Sequence, residues 1–178
     1  MTITVLKSSP HKNGSSNIIA DEFLRGAKDN GNEVEEFFIP NLNIHPCIGC
    51  DYCKLEKSCC HNDDMPKIQI SLMKNDLVVF VTPLYYFGMS SQLKAVIDRF
   101  YAFNDDLSEK HMKSLLISAA WDKDEKTMRQ LRDHYRAICD YLSFENIGEL
   151  LGSGCGTPDM TRKSEYPLFA YKLGKQIE

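Results

Sequence analysis

A doubly wound α/β sandwich is the fold class that this 178-residue sequence predicts. Three observations carry the prediction. Short runs rich in β-branched residues alternate with helical patterns along the chain, the signature of a parallel sheet covered by helices. One run, residues 77–81, is apolar at every position and bounded by Asn75-Asp76 and Pro83, as a strand buried on both faces must be. No repeat or low-complexity linker interrupts the sequence, so its length suits one domain over residues 1–178.

Residues 2–6 (Thr-Ile-Thr-Val-Leu) read as the first strand, and 7–16 as a polar loop. Ile18, Ile19, Phe23, Leu24 and Ala27 recur at helical spacing, and Asn30-Gly31 closes that helix. Residues 34–39 read as strand 2 and 40–62 as an irregular, cysteine-bearing segment. A short helix over 65–73 precedes strand 3 at 77–81. Residues 90–103 form a helix with Leu93, Val96, Ile97 and Phe100 on one face, and 114–119 form strand 4. Met128, Leu131, Tyr135, Ile138 and Leu142 mark a long amphipathic helix. Strand 5 covers 147–151 and a last helix 166–177. Five strands with right-handed crossovers suit the flavodoxin-like order 2-1-3-4-5, a three-layer sandwich with a cysteine-rich insertion (44–64) after strand 2. In such a sheet, ligands bind beyond the carboxyl ends of the strands, so the loops after strands 1, 3 and 4 are expected to carry the site.

Composition excludes several classes. A chain that is 43% hydrophobic and 26% charged has both a core and a polar surface. Its net charge of -4 leaves no basic footprint, so nucleic acid is not an expected partner. No stretch approaches the length of a membrane span, and no export leader opens the chain, so the sequence predicts a cytoplasmic protein without membrane attachment. In that reducing compartment, cysteines are expected as ligands, reactive thiols or core residues.

Five of the seven cysteines fall within 47–60. Cys47, Cys50, Cys53 and Cys59 have the spacing C-x2-C-x2-C-x5-C, with Cys60 next to them. Three thiols at steps of three can turn inward on one loop, and a fourth completes a cage of the kind that holds an iron–sulfur cluster. Zinc sites more often use two separated pairs or a Cys/His mixture. The spacing favours a [4Fe–4S] cluster over zinc, with a thiol-rich loop that holds no metal as the other reading. His45 and His61 flank the motif as core or surface residues. Asp63-Asp64 reads as the cap of the following helix.

The loop after strand 1 gathers Ser8, Ser9, His11, Lys12, Asn13, Gly14, Ser15, Ser16 and Asn17 at the start of a helix. Free N–H groups and the positive end of the helix dipole suit a phosphate there. The plainer reading is a polar turn capped by Ser15 or Ser16. No Gly-Lys-Ser/Thr follows the glycine, so nucleoside triphosphate hydrolysis has no support. The loop after strand 3, Pro83-Leu84-Tyr85-Tyr86-Phe87-Gly88, places three aromatics at a strand mouth, where a flat ring or a second subunit would cover them. Cys139 is expected in the core. Gly152 to Pro158 reads as a flexible link, with a second phosphate cradle as the alternative.

These residues together resemble the NADPH-dependent FMN reductase family, most closely its iron–sulfur flavoprotein branch. The resemblance rests on the order and spacing of Ser9 to Ser16, the cysteine motif with Asp63-Asp64-Met65, and Pro83 to Gly88 running into Ser91 to Arg99. It implies non-covalent FMN, with Ser9, His11, Asn13, Ser15, Ser16 and Asn17 around the phosphate. It implies Pro83, Leu84, Tyr85, Tyr86, Phe87 and Gly88 along the flavin, and Ala119, Ala120 and Trp121 by its pyrimidine side. It implies Cys47, Cys50, Cys53 and Cys59 as metal ligands. The implied activity is an oxidoreductase that passes electrons from NAD(P)H or a reduced carrier to a small-molecule or protein acceptor. The implied assembly is a homodimer or homotetramer. No separate catalytic acid or base is expected. The alternatives are a flavodoxin-like electron carrier and a reductase whose cysteine loop binds no metal. Two positions depart from the family pattern: His11, where arginine is common, and Ser8, where glycine is common.

Overall fold

The computed structural model describes residues 1–178, the side chain of residue 125 excepted. Its strands are β1 (Thr2–Lys7), β2 (Glu33–Phe38), β3 (Leu77–Pro83), β4 (Lys113–Ala119) and β5 (Glu145–Gly152). They pair in parallel throughout, in the order β2-β1-β3-β4-β5. The flavodoxin-like sheet expected from the sequence is therefore the one observed.

Period two divides each strand between two cores. Leu77, Val79 and Val81 join Ile3, Val5, Leu115 and Ile117 beneath α1 (Ser15–Asp29) and α8 (Tyr166–Gly174). Val78 and Phe80 join Leu6 and Leu116 beneath α3 (Met65–Lys74), α4 (Ser91–Asp98) and α6 (Arg129–Tyr141). Each fully buried aliphatic or Phe side chain contributes about 1.5–3 kcal/mol, so packing against the sheet, more than helix propensity, holds these helices. α8 lies so close on α1 that a Cβ at Gly174 would sit 2.1 Å from the Phe23 carbonyl oxygen, an approach that only glycine allows. No helix among the described residues is long and apolar enough to cross a membrane.

Several expected boundaries change. The helix read over 90–103 ends at Asp98 and continues as a tight 3-10 turn, Arg99–Phe103, that buries Arg99, Phe100 and Phe103. α5 (Asn104–Glu109) and α7 (Pro158–Lys163) were not expected, because each buries a single residue, Leu107 or Thr161, and so shows no helical period. The segment 40–62, read as irregular, contains α2 (Tyr52–Glu56), one exposed turn of helix. α1 is preceded by Gly14 and not capped by a serine hydroxyl; Ser15 and Ser16 are its first helical residues. Strands 1, 3, 4 and 5 extend by one or two residues at one or both ends, strand 2 starts at Glu33 and loses Ile39 to a 3-10 turn (Ile39–Asn41), and the last helix stops at Gly174.

Candidate functional site

The carboxyl ends of β1, β3 and β4 open into a cleft of about 680 Å³, within the range of small-ligand sites. Its first wall is the β1–α1 loop. Ser8 is fully buried, and its Oγ donates to the Val81 carbonyl at 2.8 Å and accepts from Ser90 Oγ at 2.9 Å. Ser90 in turn caps α4 through the Leu93 N–H. The serine that replaces the usual glycine thus fastens the loop to β3 and α4. Farther along, Ser9 Oγ accepts from the His11 N–H, and Asn17 Nδ2 donates to the His11 and Lys12 carbonyls at 3.1 and 3.2 Å. Asn17 therefore braces the loop from behind and does not line the cleft.

The loop leaves a set of polar groups without partners. α1 has no side-chain cap and no acidic residue in its first turn. Ser16 Oγ and Asn17 Oδ1 are buried without a hydrogen-bond partner. Buried polar atoms are nearly always paired, so the Ser16 hydroxyl, a donor lining the cleft at an uncapped helix N-terminus, points to a missing ligand, whereas the Asn17 oxygen is an acceptor outside the lining. Lys12 adds positive charge at the same wall. An anion of phosphate type fits this donor set.

The second wall is the β3–α4 loop, where Pro83, Leu84 and Tyr85 face the cleft. Tyr85 and Gly88 exchange backbone hydrogen bonds at 3.1 and 3.0 Å across a two-residue turn. Both central residues are left-handed, Tyr86 at φ 46° and Phe87 at φ 64°. Such turns favour Asn-Gly, and bulky residues there cost of order 1 kcal/mol or more each. Tyr86 is fully exposed and Phe87 more than half so. Two strained aromatics held out to solvent are thus presented by the fold without packing against it. Gly88 has no tight neighbour either: an added Cβ would meet only the Tyr85 carbonyl, at 3.9 Å.

The third wall comes from β4 and β5. Ala119, Ala120 and Trp121 face Cys155, Gly156, Thr157 and Pro158. Trp121 lies against Gly156, where an added Cβ would come within 2.2 Å of its Cε3. Residues 155–158, read as a link, are cleft wall; Thr157 caps α7 by accepting from the Met160 N–H. Of the site residues expected from the sequence, Ser9, His11, Asn13, Ser15, Ser16, Pro83, Leu84, Tyr85, Ala119, Ala120 and Trp121 share this cleft; Asn17, Tyr86, Phe87 and Gly88 lie outside its lining.

The cysteine loop forms a second site. Of the Asp63-Asp64 pair read as a helix cap, Asp64 stands at the N-cap position of α3 without a side-chain capping bond, and Asp63 ties the loop's neck. Its carboxylate accepts from the His45 and Met65 N–H groups, at 3.0 and 3.1 Å, and from Arg99 Nη1 at 2.6 Å. Arg99 Nη1 also donates to the His45 carbonyl at 2.8 Å. The Arg99 and Asp63 side chains are 1% and 0% exposed. Burial works against both charges, but each holds the other ionised: Asp63 falls below the usual carboxylate range, and Arg99 is raised. His45, exposed, and His61, half-buried, stack with ring centroids 5.3 Å apart beside this neck.

Cys47, Cys50, Cys53, Cys59 and Cys60 all rim one small pocket with Arg99 in its wall, and Arg99 Nε has no hydrogen-bond partner. The Tyr52 N–H and the Cys60 thiol lower the pKa of Cys50, while Cys50 pushes Cys60 up to about 11. Among the described residues, no three His, Cys, Asp or Glu side chains converge on a single-ion point. The pocket that the five thiols rim has a volume of about 20 Å³.

The model of the NADPH-dependent FMN reductase family matches residues 1–147. The chain belongs to this family. Within its reach are proteins named iron-sulfur flavoprotein. One from Archaeoglobus fulgidus is 31% identical over 120 residues, 66% of this chain and 54% of the relative. One from Methanosarcina thermophila is 33% identical over 99 residues, 56% of this chain and 52% of the relative. The chain spans about half the length of these relatives. Among solved structures, an NAD(P)H:quinone oxidoreductase from Methanothermobacter marburgensis superposes with a TM-score of 0.78 over 100% of this chain and 96% of that one. At 15% identity that likeness is one of fold.

One feature of this FMN reductase family member was read only as an alternative, and one escaped the sequence. The wall at 155–158 belongs to the stretch read as a link with a phosphate cradle as the alternative; its place directly after strand 5, at the ligand-binding end of the sheet, puts it on the cleft. The Asp63–Arg99 pair had no local signal at all.

Proposed function

We propose that the protein is an FMN-dependent oxidoreductase that takes electrons from NAD(P)H or a reduced carrier, and that its cysteine loop holds a [4Fe–4S] cluster. One observation carries the flavin reading: the uncapped α1 N-terminus, with the Ser16 hydroxyl unpartnered, opens into a cleft wide enough for a ring system. In this reading the N–H groups of Ser15 and Ser16, with Lys12, bind the phosphate. Ser9, His11 and Asn13 shape its cradle, and Asn17 holds that cradle closed. Leu84, Tyr85, Ala119, Ala120 and Trp121 flank the ring and exclude water. Bound FMN would supply two-electron exchange with a nicotinamide and one-electron exchange with a cluster. Tyr86, Phe87 and Gly88, without tight neighbours in this chain, would close the ring against a second copy, which makes a homodimer or homotetramer the expected assembly. Cys47, Cys50, Cys53 and Cys59 would be the ligands, with the Arg99 charge beside them.

Anaerobic absorption spectroscopy with metal analysis tests both parts. Bound or added FMN in 1:1 ratio is expected, with about four iron and four sulfide per chain for one cluster. Protein that binds no added FMN would sink the flavin reading, and reconstituted protein without iron and sulfide would sink the cluster. Steady NAD(P)H oxidation by the isolated protein distinguishes an enzyme from a flavodoxin-like carrier.

A substitution probes the third wall. Gly156→Ala is expected to drive Trp121 from its seat and to weaken FMN by roughly tenfold, about 1.4 kcal/mol. Trp121 is the sole tryptophan, so its emission reads the displacement directly. An unchanged emission spectrum together with an unchanged FMN affinity would remove Trp121 from the site.

A further inference from the structure

Five thiols rim the cysteine pocket, one more than a four-thiolate cluster uses. The surplus thiol is placed against another: Cys60 Sγ lies 3.4 Å from Cys50 Sγ, and both residues are exposed. We infer that Cys50 and Cys60 are a modification site, a thiol pair that peroxide converts to a reversible disulfide, removing Cys50 from the ligand set. The disulfide follows from this chain's own geometry; only its consequence for metal loading rests on the cluster reading.

Bond formation requires the two sulfurs to close from 3.4 Å to about 2.05 Å. The backbone around them can absorb that step. Gly49 and Asp51, on either side of Cys50, are both at positive φ, and Cys60 lies in a stretch outside helix and strand. Meanwhile Asp63 and Arg99 anchor the neck, so closure need not disturb the sheet.

The chemistry balances with peroxide as the oxidant. Hydrogen peroxide oxidises one thiol to a sulfenic acid, releasing one water. The second thiol attacks that sulfur, the S–O bond breaks, and a second water leaves as the S–S bond forms. Two thiols are oxidised and one peroxide is reduced to two waters. A dithiol reverses the step by exchange. With the disulfide in place, Cys47, Cys53 and Cys59 remain, one thiolate short of a cluster site. Without Cys60, a sulfenic acid at Cys50 has no adjacent resolving thiol, and a second peroxide oxidises it to the irreversible sulfinic acid with release of one water.

The test uses full-length, cluster-free, reduced protein treated with one equivalent of hydrogen peroxide per chain. Thiols are counted after denaturation, and peptides are mapped without reduction. Wild type is expected to fall from 7 thiols, the full cysteine count, to 5 and to return to 7 with dithiothreitol. A Cys50–Cys60 peptide is expected in the map. Given two equivalents of peroxide, Cys60→Ser should lose one thiol without recovery by dithiothreitol, whereas Cys59→Ser, given one, should still lose two reversibly. A Cys60→Ser protein that loses two thiols reversibly, or a map that joins Cys50 to another cysteine, would overturn the proposal. Iron and sulfide are then offered to the reduced and oxidised forms. Uptake by the reduced form alone is expected. Equal uptake by both forms would overturn the metal-loading consequence, and no uptake by the reduced form would overturn the cluster reading while the mapped disulfide stands.

Discussion

Asp63→Ala is expected to destabilise the protein by about 3 kcal/mol, the lower end of the 3–5 kcal/mol that follows when one partner of a buried ion pair is removed. The physical cause is the Arg99 guanidinium, which would remain inaccessible to water with no counter-charge. The lower end applies because a single loop covers the pair and can lift to admit water. For a chain of this length, the melting temperature should fall by roughly 6–12 °C. The same change frees the His45 and Met65 N–H groups that the carboxylate ties together. Trypsin should then cut faster at Lys54 and Lys57, within the cysteine loop. Adding Arg99→Met should restore part of the lost stability, because no unpaired charge is left, but not the slow proteolysis. An Asp63→Ala protein with unchanged melting and unchanged tryptic rate would show that the pair does not hold the loop.

The pair also sets an acid limit. Asp63 is ionised more readily in the folded protein than in the unfolded chain, since Arg99 and two backbone N–H groups outweigh its burial. A depressed carboxylate pKa stabilises the fold at pH values above the unfolded value, about 3.9, and that contribution is lost as pH falls through the folded one. The loop's resistance to an acid-active protease should therefore be full above about pH 4, begin to decline below it, and be lost only as pH falls through the depressed Asp63 value. Asp63→Asn, unable to titrate, should flatten that dependence.

What could be read in advance divides by the range of the interactions. The sheet order was legible because residues 77–81 have no polar face, which only a central covered strand tolerates, and because the surrounding runs alternate with helices. That order then selected the β1–α1 and β3–α4 loops, and the cleft lies there. Asp63 and Arg99 are 36 residues apart and meet only through the fold. Asp63 therefore looked like a local cap, and Arg99 drew no reading of its own within the helix expected over 90–103. Ser15 and Ser16 looked like caps because their composition fits one; the chain uses Gly14 and leaves the Ser16 hydroxyl unpaired. Tyr86 and Phe87 could be marked as exposed aromatics, but not as left-handed, because no side-chain preference puts them there. Local preference failed where tertiary structure or a ligand site overrides it, as at Gly14 and Tyr86.

Ser16→Asp should cost the protein its FMN while leaving the fold intact. Ser16 lines the cleft in the first turn of α1, so the new carboxylate would point at the proposed phosphate position. Two unit charges of like sign at about 4 Å repel by about 4 kcal/mol at an effective dielectric of 20. Discounted for solvent in an open cleft, the loss should be at least a hundredfold in Kd, about 2.7 kcal/mol. Folding is affected less, because an acidic residue near a helix N-terminus is favourable by about 0.3–1 kcal/mol, which offsets part of the cost of a larger, charged side chain at a position 1% exposed. Melting should therefore hold steady or fall slightly while FMN affinity collapses. Two controls isolate charge. Ser16→Asn adds the same number of atoms without charge and should weaken FMN far less. Riboflavin, which lacks the phosphate, should bind wild type and Ser16→Asp alike. If Ser16→Asp weakens riboflavin as much as FMN, the carboxylate blocks the ring and the phosphate lies elsewhere. If it weakens neither, the α1 N-terminus is not the anion site, and the unpaired Ser16 hydroxyl must have another cause.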